Sequence, residues 1–518
     1  MRELISNAEN RRLFLLEYFI YGNPRVELEE LKRVLHMTNS TLIADVEKMK
    51  AMYPGLRLRI SDGYLNATFS STFQPAEIYA PITHNKLIFR LVRRIFFEED
   101  LSLATLVTQE RVSVSSGYRL VHEFNELARK QYHLEIDSRP CHMIGDEVAI
   151  RAFYRDFFFE LYPGKYLPFP SEFLETCRAF VQDFSAFFGK MATLIPSEIL
   201  VLLIAVSATR NRQGHHIRKY TPSEDFNALY EECAKNEDFI EKCAQYGEAF
   251  GFSLDKEGLG DVFYPLSEQG YRLTFSPEKV ALIDRTVQNS LNTLAKNHNI
   301  PLEDSLMVAC RLNDAFFLAK RGCFHPTIMF NAAAILCMSA YVNHHNFTVD
   351  AMKELLLLLK HAHAEGTSAN AIHVFYVLLQ YWTGLLSTLR RQYMRLNIKI
   401  ESFFGPSHEA FMKETLTSVF SGFADFTTHT ESKANQAPAG SVDLLITNLL
   451  QPNLDGDKVG QVLRVRDSFL SSNALFEIGD GIQKIYDEEN QISVDLETFL
   501  SIFSTFQGAE KHIALFER

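Results

Sequence analysis

The sequence predicts a mainly α-helical, multidomain fold that ends in a small α/β domain, and three observations carry that prediction. A unit reading helix, break, helix, strand, turn, strand occurs twice before residue 146. From there to residue 395, apolar residues recur at helical spacing with only short polar breaks. After Arg395 the period changes, and Leu396-Asn397-Ile398-Lys399-Ile400 alternates like a strand, which brings in the α/β tail.

The first unit opens with a helix over residues 8–22, with Leu13, Leu16, Phe19 and Ile20 on one face and a stop at Gly22-Asn23-Pro24. Leu28, Leu31 and Leu35 mark a second helix, which Thr38-Asn39-Ser40-Thr41 interrupts. A third helix carries Leu42, Val46, Met49 and Met52. Strands at 56–60 and 64–69 flank the turn Ser61-Asp62-Gly63. A helix over 82–97 leads to the second unit, where Leu103, Leu106 and Val107 give one helical face. Ser113-Val114-Ser115-Ser116 then supplies hydroxyls that can cap a new helix running to about Tyr132. Val121, Phe124, Leu127 and Ala128 form its inward stripe, leaving Tyr118, Arg119, His122 and Asn125 available for contacts. Strands at 134–136 and 141–144 close around Ser138-Arg139-Pro140.

The two units superpose under a shift of 75 residues. Leu28 and Leu31 fall on Leu103 and Leu106, Met37 on Val112, Thr38 on Ser113, Ser40 on Ser115, Thr41 on Ser116, Val46 on Val121 and Met49 on Phe124. A single copy would fit an ordinary helical pair in a core; two copies point to two winged helix-turn-helix modules, 1–72 and 73–145, whose second helices enter the major groove of DNA. Ser40, Thr41, Ala44, Asp45 and Lys48 would face DNA in the first, and Ser115, Ser116, Tyr118, Arg119 and His122 in the second. Arg90, Arg93 and Arg94 on the linking helix suit phosphate contacts, or equally a solvated helix face. Gly117 stands where the first unit has Leu42 and leaves the start of its helix open by a turn.

Helices are predicted over 172–188, 197–211, 223–246, 277–295, 305–321, 326–342, 349–363 and 369–396, as two bundles (146–275 and 276–395) with a boundary near Phe275-Ser276-Pro277. The tail, 396–518, reads as the strand, a loop at 404–408 and a helix over 409–420. A polar mobile loop comes next at 430–440, then a strand over 442–450 and helices over 462–470, 475–490 and 495–506.

Charge sets a limit on any nucleic-acid reading. The chain of 518 residues carries a formal net charge of -12. Residues 1–165 balance at 22 basic against 22 acidic side chains, so the whole deficit lies after them. A DNA contact must therefore rest on local clusters, not on a global field. Seven Cys without a Cys-x-x-Cys pair argue against a zinc site or disulfide framework, and His361-x-His363 lacks the carboxylate or thiol neighbours of a metal site. No cofactor is expected. The polar start does not read as a signal peptide, and the most apolar window, 326–342, carries Asn331 and Ser339 and is short for a membrane span. The expectation is a soluble, cytoplasmic protein with no membrane partner.

The paired modules, the passage Ile144-Gly145-Asp146-Glu147 with Ile150-Arg151 and Phe153-Tyr154, the two helical domains and the α/β tail together resemble the Mga/AtxA-type virulence regulators of Gram-positive bacteria. That resemblance implies a DNA-binding transcription factor, not an enzyme, with two phosphotransferase-system regulation domains and a tail like an enzyme IIB component. It implies promoter duplex DNA as one partner and a phosphocarrier or enzyme II component of the sugar phosphotransferase system as another. Self-association as a homodimer through the tail is implied as well. Phosphoryl groups in such regulators go to histidines. His215 and His216, beside Arg210, Arg212 and Arg218, match the first regulation domain, and His325, His361, His363 and His373 are the choices in the second. The tail departs from a catalytic enzyme IIB: its loop reads Gly405-Pro406-Ser407-His408, and no Cys occurs after residue 337, so it cannot carry phosphate on a thiolate. An antiterminator with the same regulation domains would bind RNA but would open on a small β-rich domain, unlike this helical start. A helical adaptor that binds only protein is the other alternative.

Overall fold

The computed structural model describes residues 1–99, 101–162, 167–188, 197–217, 221–268, 285–321, 328–329, 332–364, 368–434, 441–452, 458–465, 470–490 and 497. They fall into two compact units, one within Met1–Thr383 and one within Gly384–Val494.

In the first unit the repeat is literal. Helices Leu28–Val34 and Leu103–Gln109 have the same length and the same 75-residue offset. Helices Asn39–Met52 and Val114–Tyr132 both start one residue after a hydroxyl cap: Thr38 accepts from the Thr41 amide at 3.2 Å, and Ser113 accepts from the Ser116 amide at 3.3 Å. Gly117 has a packing reason. A Cβ there would lie 2.3 Å from Val107 Cγ2, so the two helices of the second module touch where the first module separates them with Leu42. The helix nonetheless starts where the hydroxyls predict.

The first module also contains a strand that the sequence does not signal, Arg25–Glu27, which pairs with Tyr64–Phe69 to make a three-stranded sheet with Leu56–Ser61 on the other side. Asp62 and Gly63, at φ 52° and 81°, make the tight hairpin turn. The second hairpin, Glu135–Ser138 with Cys141–Ile144, is shorter. The single linking helix expected over 82–97 is two helices, Ala80–Asn85 and Leu87–Phe97. Lys86 is extended between them, and Arg90 donates to the carbonyls of His84 and Asn85 at 3.2 and 3.1 Å, satisfying the end of the first.

Helix Glu147–Leu161 anchors the second module to the helical region after it. Its Phe153 ring lies 6.2 Å from Phe124 and 5.2 Å from Tyr132, on the back of the Val114–Tyr132 helix. Its Tyr154 and Phe158 rings lie 4.5 and 5.1 Å from Phe96 of the linking helix. Such edge-on and offset pairs contribute about 0.5–1.5 kcal/mol each beyond area burial. Ser171–Phe187, Ser197–Arg212, Glu224–Cys233, Glu237–Phe250 and Lys256–Val262 complete this helical region. The helix expected over 223–246 is thus two helices, because Asn236 caps a new start by accepting from the Asp238 amide at 3.0 Å. Arg285–Asn297, Ser305–Lys320, Ala332–Asn343, His345–His361 and Ser368–Tyr381 form the next group. The periodicity carries the last of these to 396; the chain instead breaks at Thr383-Gly384, where Gly384 sits at φ 78° and Leu385–Arg391 begins. The expected boundary at 275–277 lies outside the described residues. No single helix among those described is long and apolar enough to cross a membrane.

The second unit holds a four-stranded parallel sheet in the order Ala424–Thr428, Leu396–Glu401, Ser441–Thr447, Lys458–Arg464, with helices Pro406–Phe420 and Ser472–Glu489 packed on it. Two expectations fail here. Residues 462–464 end an edge strand instead of starting a helix. That strand is mostly exposed, so it lacks the apolar alternation that marks buried strands. The polar stretch from 430 is preceded by strand Ala424–Thr428 and begins with helix His429–Ala434; residues 435–440 lie outside the described set. So does nearly all of the helix expected over 495–506.

Candidate nucleic-acid interface and the histidine network behind it

Each of the helices Asn39–Met52 and Val114–Tyr132 begins with the same small cluster of hydroxyls. Thr38 Oγ1 lies 2.9 Å from both Ser40 Oγ and Thr41 Oγ1; Ser113 Oγ lies 3.3 Å from Ser115 Oγ and 2.8 Å from Ser116 Oγ. These clusters surround first-turn amides at the positive end of a helix dipole, a setting that accepts a phosphate oxygen. Ser40, Ala44 and Lys48 are exposed, as are Ser115, Arg119 and His122; Thr41, Ser116 and Tyr118 are half-buried. Arg119 and His122 have loose acidic neighbours one turn on, Glu123 at 3.9 Å and Glu126 at 3.8 Å, which exposed pairs of this kind release at little cost.

Several of the residues chosen from sequence are occupied elsewhere. Asp45 is 3% exposed and receives Arg11 at 2.6 Å and Arg12 at 2.9 Å, so it ties the first helix to Asn39–Met52 and does not face outward. Asn125, at 8% exposure, donates to the Ile136 carbonyl at 2.9 Å and accepts from the Ile136 amide at 2.7 Å, pinning the second hairpin to its helix. Arg90 pairs with Glu110 at 2.9 Å. Arg94 bridges Glu98 at 2.6 Å and Glu110 at 3.4 Å, and the Glu98 hydrogen bond raises its pKa above the ordinary guanidinium value. Arg93 lies over the Tyr162 ring at 5.7 Å. The linking-helix arginines are thus engaged within the chain.

Behind the second module, His215 and His216 end a ladder of alternating charges. His215 Nε2 lies 2.6 Å from Glu99. The other Glu99 oxygen accepts from Arg210. Arg210 is 1% exposed and grips Glu147 with two hydrogen bonds of 3.0 and 2.8 Å. Glu147 also accepts from Arg151 Nε at 3.0 Å. Arg151 donates onward to Asp261 at 2.7 Å, to Asn211 at 2.7 Å and to the His215 carbonyl at 3.0 Å. Asp261 closes on His216 Nδ1 at 3.2 Å. Burial alone would lower the Arg210 pKa, but the Glu147 hydrogen bonds and the charges of Glu147 and Glu99 outweigh it and hold the guanidinium above its ordinary value. Glu99 lies just past the linking helix and Glu147 begins the helix after the second hairpin. The ladder therefore bolts the second module to the Ser197–Arg212 helix end.

A cleft of about 800 Å³ opens beside it, lined among others by His142, Asp146, His215, His216, Lys320 and Arg321. Sequence reasoning found the histidines but not Glu99 or Asp261. The i, i+4 pair Glu147 and Arg151, inside the passage that carries the family resemblance, was the available signal. His361 and His363 are exposed and half-buried respectively at the end of His345–His361, and His373 is half-buried on Ser368–Tyr381. His325 lies outside the described residues.

Residues 71–158 match the Mga helix-turn-helix domain, a span that covers the linking helices, the second module and the start of the Phe-rich helix. A Streptococcus pneumoniae protein named as a putative trans-acting regulator is 22% identical over 473 residues, 89% of this chain and 95% of its own length. The Bacillus anthracis capsule synthesis positive regulator AcpB is 22% identical over 358 residues, 67% of this chain and 73% of its own.

Proposed function

The chain belongs with the Mga/AtxA-type regulators, and from that premise we propose that it binds promoter duplex DNA as a sequence-specific transcriptional regulator, reading it with the N-terminal ends of helices Asn39–Met52 and Val114–Tyr132. The observation that carries this reading is the repeated hydroxyl-capped helix start, 75 residues apart, with exposed polar side chains on the same turn of each copy. Ser40, Thr41 and Lys48, and Ser115, Ser116, Tyr118, Arg119 and His122, meet the DNA; Asp45 and Asn125 hold the modules together.

The helical regions act as phosphotransferase-system regulation domains. A phosphocarrier or enzyme II component delivers a phosphoryl group to His215 or His216, and His361, His363 and His373 serve the second domain. A phosphoryl group on His215 Nε2 takes the place of the Glu99 contact and brings a charge of about -1.5 to -2 beside Arg210. Arg210 then has a stronger anion than Glu99 to hold, which loosens the second module from the bundle and shifts the population of the DNA-competent form. The parallel sheet of the second unit, with its central strand leading into Gly405-Pro406-Ser407-His408, supports an enzyme IIB-like tail kept for self-association as a homodimer, with exposed Phe403 and Phe404 at that loop.

Anisotropy titrations of the full chain with labelled upstream duplex, an unrelated duplex and a hairpin RNA test the reading. It expects preference for the upstream duplex, with Arg119→Ala weakening that binding by about 1–3 kcal/mol if the guanidinium reads a base. Preference for RNA, or unchanged affinity in Arg119→Ala together with a Ser40/Thr41 double alanine variant, would reject it.

A further inference from the structure

Arginines in the two modules fall into two groups. Those around the second module are neutralised within the chain: Arg90 and Arg94 by Glu110 and Glu98, Arg129 by Glu135 at 2.5 Å, and Arg119 loosely by Glu123. On the sheet of the first module the pattern is the reverse. Strand Leu56–Ser61 buries Leu56 and Leu58 and exposes Arg57 and Arg59; strand Arg25–Glu27 buries Val26 and exposes Arg25. The register sets Arg25 and Arg59 on either side of Asn66, in one row across three strands, and places Arg57 opposite Thr68 on the same face. No acidic side chain forms an ion pair with Arg25, Arg57 or Arg59 among the described residues. Arg25 is held in place instead by stacking, with its guanidinium carbon 3.8 Å from the centre of the Tyr64 ring.

Three like charges on one face do nothing for the fold. They repel one another, pack under nothing, and stand out in a chain whose net charge is -12. Glu27 shares the face beside the turn, and Asp62 lies in the turn itself, so the balance of the strand positions is three cations to one anion. Arg57 and Arg59 are two residues apart on one strand, about 7 Å, and Arg25 and Arg59 are two strand spacings apart, about 10 Å. A face of that size and sign fits a sugar-phosphate backbone, which offers one phosphate per about 3.4 Å of axis on each strand.

We propose that this sheet face is a phosphate-binding surface for duplex DNA, separate from the recognition helices, and that the first module supplies much of the salt-sensitive affinity while the second, with its arginines neutralised, contributes chiefly recognition. The inference rests on the DNA-binding reading and adds the residues that anchor the backbone. Neutralising Arg25, Arg57 and Arg59 therefore weakens binding to every sequence alike.

The test is a salt titration of the full chain against upstream and unrelated duplexes, from about 50 to about 200 mM. The slope of log affinity against log salt should flatten by about 2.7 in R25Q/R57Q/R59Q and by about 1.8 in R57Q/R59Q, which keeps the Tyr64 stack intact, with equal losses on both duplexes. R178Q, on the exposed side of helix Ser171–Phe187, should leave the slope unchanged. Wild type that binds duplex while the double and triple variants keep its slope overturns this proposal and leaves the DNA-binding reading standing. A loss confined to the upstream duplex also overturns it, since base reading then explains the arginines. Wild type that binds neither duplex at about 50 mM overturns both.

Discussion

Replacing Arg210 with Met cuts the charge ladder at its most buried rung. The side chain is 1% exposed and holds Glu147 through two hydrogen bonds and Glu99 through a third. Met fills similar volume but leaves two carboxylates, 14% and 12% exposed, facing each other without the cation between them. Removing one partner of a buried ion pair costs about 3–5 kcal/mol. His215 still reaches Glu99 and Arg151 still reaches Glu147, which places the expected loss at the lower end, about 3 kcal/mol. At 1.36 kcal/mol per decade this is about two decades of amide protection. Native-state hydrogen exchange should show that loss in Leu87–Phe97 and Glu147–Leu161, with little change in the parallel sheet of the second unit. Arg210→Lys keeps the charge but cannot grip two oxygens, so it should fall between the two. Protection in Arg210→Met within half a decade of wild type would refute the view that this ladder bolts the second module to the bundle.

Other substitutions separate scaffold from surface. Asn125→Ala strands both backbone groups of Ile136 and should lower protection of that amide by about 1–3 kcal/mol, read by exchange, while the first module is untouched. Asp45→Ala leaves Arg11 and Arg12 facing a void, and at about 3–5 kcal/mol it should open the first module to limited proteolysis before any DNA is added. An intact digestion pattern would restore Asp45 to the set of DNA contacts.

Much of this architecture was legible because local chemistry and global fold agree. Thr38 and Ser113 are hydroxyl caps at helix starts by type and spacing, and both cap in the structure. The 75-residue shift survives because each copy buries equivalent apolar positions. The features that sequence reasoning missed depend on contacts distant along the chain. Asp45 and Asn125 sit at polar helix positions that periodicity reads as exposed, yet Arg11 and Arg12 in one case and Ile136 in the other draw them inward. Strand Arg25–Glu27 is too short to show alternation and exists because Tyr64–Phe69 offers it an edge. Glu99 and Asp261 join the histidine network from 116 and 45 residues away, a proximity that no spacing rule reports. The edge strand Lys458–Arg464 reads as leading into a helix because its exposed face hides the two-residue period.

The most direct measurement is site-specific photocrosslinking of the full chain to its upstream duplex. A photoreactive group is placed in turn at Ser40, at Ser115 and, as a control, at exposed Leu386 of the second unit. The account predicts adducts from both Ser40 and Ser115, at two separate sets of bases in the major groove, and none from position 386. Adducts from neither helix start, under conditions where the duplex is fully bound, would contradict it.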